Sequence, residues 1–394
     1  MSLAITNVSL LLGRDLEYVE QGYIEIEDGI IRSTAAGTYK GAGKKTDAKG
    51  FIVIPGFINA HTHIADSIGK DIAVEQRLDA RVHPVFGVKK KILQKSLPDH
   101  LKAFIRNSAV SMMKKGIVAF ADFREDELDG IRLLKDAVEG LPIKCVALGR
   151  INYYSNPTDV SGLPAEKEEQ AKHIVEVADG FGISGANENT DSALAQYRQL
   201  VGKKLIAIHA AESKETVEFS KLHTGRGEVD RIVEHLRPNF VVHMTNATED
   251  EMSLVAKNGS GIVICPRANG VLGAGIPKVG QMLKQNCLVG IGTDNVMLNS
   301  PDILRELDYI WKASRATEGE MLKAQELLKM VTINSAQILR LNNGCIEAGR
   351  AADLIFIDKK HADLYPMHDP YAAIVHRLSQ SSIRAVMING RFVD

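Results

Sequence analysis

The feature that most constrains the fold is a series of short apolar runs spaced through the middle of the chain. They are FIVIPGFI (51–58), GIVAFADF (116–123), IKCVALG (143–149), GFGISGA (180–186), KLIAIHA (204–210), NFVVHM (239–244), GIVICP (261–266) and CLVGIGTD (287–294). The runs are continuous rather than alternating, which is how strands buried on both faces read. Stretches of helical character separate them. One spans residues 99–115, after Ser96 and Pro98 and before Gly116, and another follows a capping box made by Thr248 and Glu251. Strands alternating with helices predict a parallel sheet, and this many predict a closed (β/α)₈ barrel of the TIM type within an α/β fold.

The two ends read differently. AITNVSLLL (4–12), GYIEIED (22–28) and GIIRSTAAG (29–37) are strand-like and turn at Asp28-Gly29, while ADLIFID (352–358) and IRAVMING (383–390) are strand-like and turn at Asn389-Gly390. A small β-sandwich assembled from residues 1–51 and 345–394, flanking a barrel of residues 52–344, accounts for all 394 residues.

Composition removes several alternatives. The formal net charge is −1, so no overall field favours nucleic acid or an anionic membrane surface. No stretch has the roughly 18 consecutive apolar residues of a membrane span, and the N-terminus lacks the basic and apolar regions of a secretion signal. Cys145, Cys265, Cys287 and Cys345 lie far apart in apolar surroundings without a C-x-x-C pair, as reduced core cysteines do. The expectation is a cytoplasmic protein whose partner is a small molecule and whose specificity resides in one site.

That site is marked by ligand-type residues at strand ends. His61 and His63 follow the first run, His209 closes the fifth, His243 the sixth and Asp294 the eighth. Parallel strands bring their C-termini to one mouth, and alternate residues on a strand point the same way. Hence His61, His63, His209 and Asp294 are expected to hold one divalent ion, with zinc, iron or manganese all compatible with N/O ligands. Strand-end loops supply further candidates for substrate contact: Arg150, Asn187, Asn246 and Asn269.

The motifs PGFINAHTH (55–63), HAAE (209–212), VVHM (241–244), CPRANGVLGAG (265–275) and GIGTDN (290–295) resemble those of the amidohydrolase superfamily. The resemblance covers nearly the whole chain and points to the branch of cytosine, guanine and S-adenosylhomocysteine-type deaminases and triazine chlorohydrolases. It implies hydrolysis of a C–N bond in an aminated heterocycle, with metal-activated water as nucleophile and ammonia as product. It also implies roles: Glu212 as proton shuttle, His243 polarising the water or the developing charge, and Asp294 as ligand and second proton carrier. A second metal would need a bridging carboxylate. No lysine occurs between His173 and Gly202, and Glu188 is the remaining bridging candidate, so a mononuclear site is favoured. The alternative reading is hydrolysis of a cyclic amide or C–Cl bond. The segment after HTH (64–91) departs from the tryptophan-containing pattern of the nucleoside deaminases, and Lys89-Lys90-Lys91 reads as a solvated face. Association into a homo-oligomer is a further expectation from the resemblance.

Overall fold

The structure is a computed structural model; it describes residues 2–319 and 321–393, so residues 1, 320 and 394 lie outside the described residues. Its strands, in chain order, are β1 (Leu3–Leu12), β2 (Glu17–Glu27), β3 (Ile30–Ala36), β4 (Lys44–Asp47), β5 (Phe51–Pro55), β6 (Phe57–His63), β7 (Ile117–Arg124), β8 (Lys144–Gly149), β9 (Gly180–Ile183), β10 (Leu205–Ala210), β11 (Phe240–His243), β12 (Gly261–Ile264), β13 (Leu288–Ile291), β14 (Asp294–Asn295), β15 (Leu354–Asp358), β16 (Ile383–Ile388) and β17 (Arg391–Phe392). They form two sheets in a mixed α/β fold.

Strands β6 to β13 pair in parallel, each with its neighbour in sequence, and helices connect them. The sheet curls on itself: β13 pairs with β12, while β14, which follows after Gly292 and Thr293, pairs with β6 at the opposite edge. Every residue of β6, β7, β9, β11 and β12 is buried, as continuous apolar runs demand. Their inward side chains, among them Ala60, Ala121, Phe123, Leu148, Ala207, Val242 and Val263, pack into one interior cluster. The outward ones meet the surrounding helices in a larger cluster. Helix Pro98–Lys114 turns Leu101, Ile105, Ala109 and Met112 inward at helical spacing. Thr248 and Glu251 do form a capping box, with Thr248 N donating to Glu251 Oε2 at 2.7 Å and Glu251 N to Thr248 Oγ1 at 3.3 Å.

The second sheet joins both ends of the chain in the order β17-β16-β15-β5-β1-β2-β3, with β4 also paired to β1. Asp28 and Asn389 take left-handed φ at the expected hairpin turns. One difference from the sequence reading matters here. FIVIPGFI is not one strand. Phe51–Pro55 pairs with β1 and β15 in the terminal sheet, and the chain enters the parallel sheet only after Gly56. The apolar run is continuous because both of its strands are buried, so hydrophobicity alone could not show the break.

The joint where the curled sheet meets itself is tightly specified. Asn59 on β6 donates its Nδ2 to Thr293 Oγ1 at 2.8 Å and accepts from Thr293 N at 2.9 Å, and all of these groups are buried. Thr293 N also donates to His61 O at 3.1 Å. Gly292 allows this approach: a Cβ there would lie 2.7 Å from His61 Cβ and 2.8 Å from both its N and O. Gly292→Ala is therefore expected to destabilise the metal-free protein by roughly 1–3 kcal/mol through overpacking against backbone. Urea denaturation measures this, and an unchanged midpoint contradicts the tight joint.

Candidate metal centre and active site

The ends of β6, β10, β11 and β14 carry four imidazoles and a carboxylate into one buried cluster. Ring centroids are 4.9 Å apart for His61–His63, 5.0 Å for His61–His209, 5.4 Å for His209–His243 and 5.5 Å for His63–His209. Asp294 Oδ1 lies 3.2 Å from His61 Nε2 and 3.7 Å from His63 Nε2. Backbone strain is concentrated here: Ala211, His243, Met244 and Asp294 all have φ between 47° and 76°. Each is a non-glycine residue in the left-handed region just at or after a strand end, a cost that the surrounding packing must offset.

Hydrogen bonds to the outer ring nitrogens set what the inner nitrogens can do. His63 Nδ1 sits 3.1 Å from Phe123 O and 2.9 Å from Glu125 Oε1, and His209 Nδ1 sits 3.1 Å from Ile183 O. Oxygen acceptors require the proton on Nδ1, leaving the Nε2 lone pair of both rings free to bind a cation. His243 is wired differently. Its Nδ1 accepts from Asn269 Nδ2 at 3.2 Å, which places a neutral ring's proton on Nε2, 3.6 Å from Glu212 Oε1. His61 is fully buried: its Nδ1 has no hydrogen-bond partner among the described residues, and its Nε2 faces only the Asp294 carboxylate at 3.2 Å. An imidazole so poorly partnered is expensive unless something binds it.

Burial also holds the rings neutral, the form that ligates metal. It pushes His63 down to about 3, with the Lys89 charge adding to the effect, and lowers His61 and His209 as well. Two sets among these residues present ligand atoms close enough to share an ion: His61, His63 and Asp294, and His61, His209 and His243. Glu212, His243 and Asp294 form a third, overlapping set. The donor set and the poorly partnered His61 ring fit a divalent cation.

The sequence-predicted substrate contacts divide into two kinds. Arg150 and Asn187 line the pocket above the cluster, together with His63, His209, Glu212, His243 and Asp294. Asn246 and Asn269 are not among the lining residues. Asn246 donates to Glu212 O at 2.8 Å and to Ala274 O at 2.9 Å, so it fixes the backbone that carries Glu212, and Asn269 orients His243.

Several buried charges have roles that sequence position alone did not show. Lys89 is no solvated-face lysine: it is 5 % exposed and its Nζ lies 2.6 Å from Glu125 Oε1. Glu125 also pairs with Arg124 and lies 3.6 Å from Arg150 Nη2, which makes one carboxylate the hub for three cations and His63. Burial opposes its ionisation, but Lys89 and Arg124 hold it well below the usual carboxylate range. Asp122 accepts from Thr62 Oγ1 at 2.9 Å and Ile64 N at 2.6 Å, bracing the backbone around His63. Asp66 receives Asn295 Nδ2 at 2.7 Å and Met297 N at 3.0 Å, fixing the chain after Asp294. Apart from Arg124 and Glu125, these partners are distant in sequence, so no local pattern announces them.

Two outcomes follow. Glu125→Gln removes the charged acceptor behind His63 and is expected to weaken metal binding by roughly 10–100-fold; competition with a chelator reads this, and unchanged affinity contradicts it. Glu228, a buried residue of the pocket lining, accepts from Ala211 N at 2.9 Å. Burial pushes it up to about 8, aided by the charges of Glu188 and Glu212. An acid whose pKa is higher folded than unfolded keeps its proton longer in the native state, so stability falls as pH rises from about 4.5 to about 8. Glu228→Gln is expected to flatten that decline in the metal-free protein, measured as urea midpoints across the range.

Comparison with known proteins agrees with this geometry. The model of the amidohydrolase family matches residues 52–393. A protein of Methanothermobacter thermautotrophicus carrying the name "Putative aminohydrolase" is 35 % identical over 99 % of this chain and 99 % of its own. A 5-methylthioadenosine/S-adenosylhomocysteine deaminase of Thermococcus sibiricus is 26 % identical over all of this chain and 94 % of its own. Among solved structures, a zinc-bound adenosine deaminase of Xanthomonas campestris superimposes with a TM-score of 0.85 over 99 % of this chain and 92 % of that one, at 19 % identity, so the fold is shared. The chain belongs to the amidohydrolase family.

Proposed function

We propose that the protein is a metal-dependent aminohydrolase that removes ammonia from an aminated heterocycle, a nucleobase or nucleoside. The observation that carries this is the juxtaposition of Glu212 with the histidine cluster: its carboxylate lies 3.6 Å from His243 Nε2 and lines the same pocket as His63, His209 and Asp294. The names of the deaminase relatives support the reading. In it, the curled parallel sheet is a (β/α)₈ barrel from Phe57 to about residue 344, and the terminal sheet is a β-sandwich whose first segment runs on through Pro55.

His61, His63, His209 and Asp294 would hold one divalent ion, with zinc the first choice. The ion supplies Lewis acidity that lowers the pKa of water to near neutrality. The chain's own residues supply the proton traffic that deamination requires. Glu212 stands where it can protonate a ring nitrogen as the attacked carbon becomes tetrahedral, and Asp294 where it can carry a proton to the departing amine. His243, with its Nε2 proton turned into the pocket, stabilises negative charge building on the attacking oxygen. Arg150 and Asn187 contact the substrate from the pocket wall. Leu78, Val82, His83, Pro84 and Lys89 complete the pocket lining.

The test uses zinc-loaded protein and a panel of aminated purines, pyrimidines, pterins and nucleosides, with ammonia as readout. At least one compound is expected to release ammonia, and a chelator to abolish the activity reversibly. Glu212→Gln is expected to lower kcat by about 10²–10⁴-fold while zinc content stays unchanged. Full activity in that variant contradicts the role of Glu212.

A further inference from the structure

The pocket carries two acceptors, Asn187 Oδ1 and the Glu188 carboxylate, on one loop. Its cationic residues, Lys89 and Arg150, turn toward Glu125. Asn187 and Glu188 lie in the loop after β9. The Asn187 amide is oriented by its Nδ2, which donates to Thr216 O at 2.9 Å, and its Oδ1 is buried without a hydrogen bond. The Glu188 carboxylate accepts from the Ser184 hydroxyl, 3.5 Å from Oε2, and from its own backbone N–H, and it forms no ion pair among the described residues. Burial pushes its carboxyl above the usual range, as befits an acid short of a cation.

The loop is built to hold these two acceptors in place. Beneath it lies the fully buried guanidinium of Arg231, which donates to Ala186 O at 3.1 Å, Asn189 O at 2.8 Å and Asp191 Oδ1 at 2.7 Å. Asn189 Nδ2 closes the turn on Gly185 O at 2.7 Å. Gly185 makes room for the carboxylate: a Cβ there would stand 2.8 Å from Glu188 Oε2. A braced loop carrying one unsatisfied buried acceptor beside a carboxylate is a preorganised receptor for donors.

We infer that Asn187 Oδ1 and the Glu188 carboxylate together recognise a pair of adjacent hydrogen-bond donors on the substrate, and so determine which aminated heterocycle is accepted. The inference rests on the aminohydrolase reading of the same pocket. Two kinds of substrate present such a pair: a heterocycle whose second amino group supplies two N–H donors, and a nucleoside with its ribose diol.

Two matched pairs of probes separate these sources, 2,6-diaminopurine against 6-aminopurine and adenosine against 2′,3′-dideoxyadenosine. Both ammonia release and equilibrium binding to the zinc-loaded protein are measured. Within one pair, the donor-bearing compound is expected to be preferred by at least about 10²-fold, toward the roughly 10⁴-fold reached by sites built around buried hydrogen bonds. Glu188→Gln and Asn187→Leu are expected to reduce that preference to within about tenfold, with zinc content and Tm unchanged. Equal treatment of both members of both pairs overturns the inference, as does a preference undiminished in the two variants. Ammonia from none of the four, with the binding preference intact and lost in Glu188→Gln, counts against deamination of these compounds and leaves the donor recognition standing. Binding of none of the four overturns it.

Discussion

The reciprocal hydrogen bonds between Asn59 and Thr293 are the contact on which the site depends. They fasten the segment after β13 to β6, and the next residue in the chain is Asp294. Without that joint, His61 and His63 on one strand and Asp294 on another would have no reason to share a few ångströms of space. With it, the parallel sheet carries His209 and His243 to the same rim. The strained φ angles of His243 and Asp294 are then consequences of turning the chain at the strand ends while keeping these side chains pointed inward.

Around this core, the protein solves an electrostatic problem. Imidazoles must stay neutral and correctly tautomeric, yet charged groups are needed close by. Carbonyl and carboxylate acceptors behind His63 and His209 fix their protons on the far side from the cluster, and Asn269 gives His243 the opposite tautomer. Glu125 gathers Lys89, Arg124 and His63 onto one buried carboxylate. A buried charge left without partners is strongly destabilising, so removing any member of this group should be felt by the others. Lys89 extends the coupling to a segment that lines the pocket, because it belongs to residues 64–91 while its charge is spent beside a histidine of the cluster.

Much of this architecture was legible in the chain. Eight apolar runs gave the parallel strands, and the strand-end positions of His61, His63, His209, His243 and Asp294 gave the cluster, because strand direction alone decides which end a terminal residue occupies. What stayed hidden had physical causes. The break at Gly56 lies inside an apolar run, since Phe51–Pro55 and Phe57–His63 are both buried in different sheets. Lys89 looked like one of three surface lysines because its partner, Glu125, is 36 residues away in sequence. Asn246 and Asn269 sit at the right strand ends to touch substrate, yet their amides are consumed by backbone and by His243, a distinction that only coordinates reveal. The orphaned Oδ1 of Asn187 is similarly invisible in sequence, because it concerns a bond that is not made.

The central claim is that distant strand ends create one cation site of mixed imidazole and carboxylate character. X-ray absorption at the zinc edge, on protein reconstituted with zinc and carrying a measured metal content, tests it most directly. The account predicts one zinc per chain, ligated by several imidazole nitrogens and oxygen with no sulfur. Two tightly held zinc ions per chain, or a single ion without imidazole scattering, would contradict it.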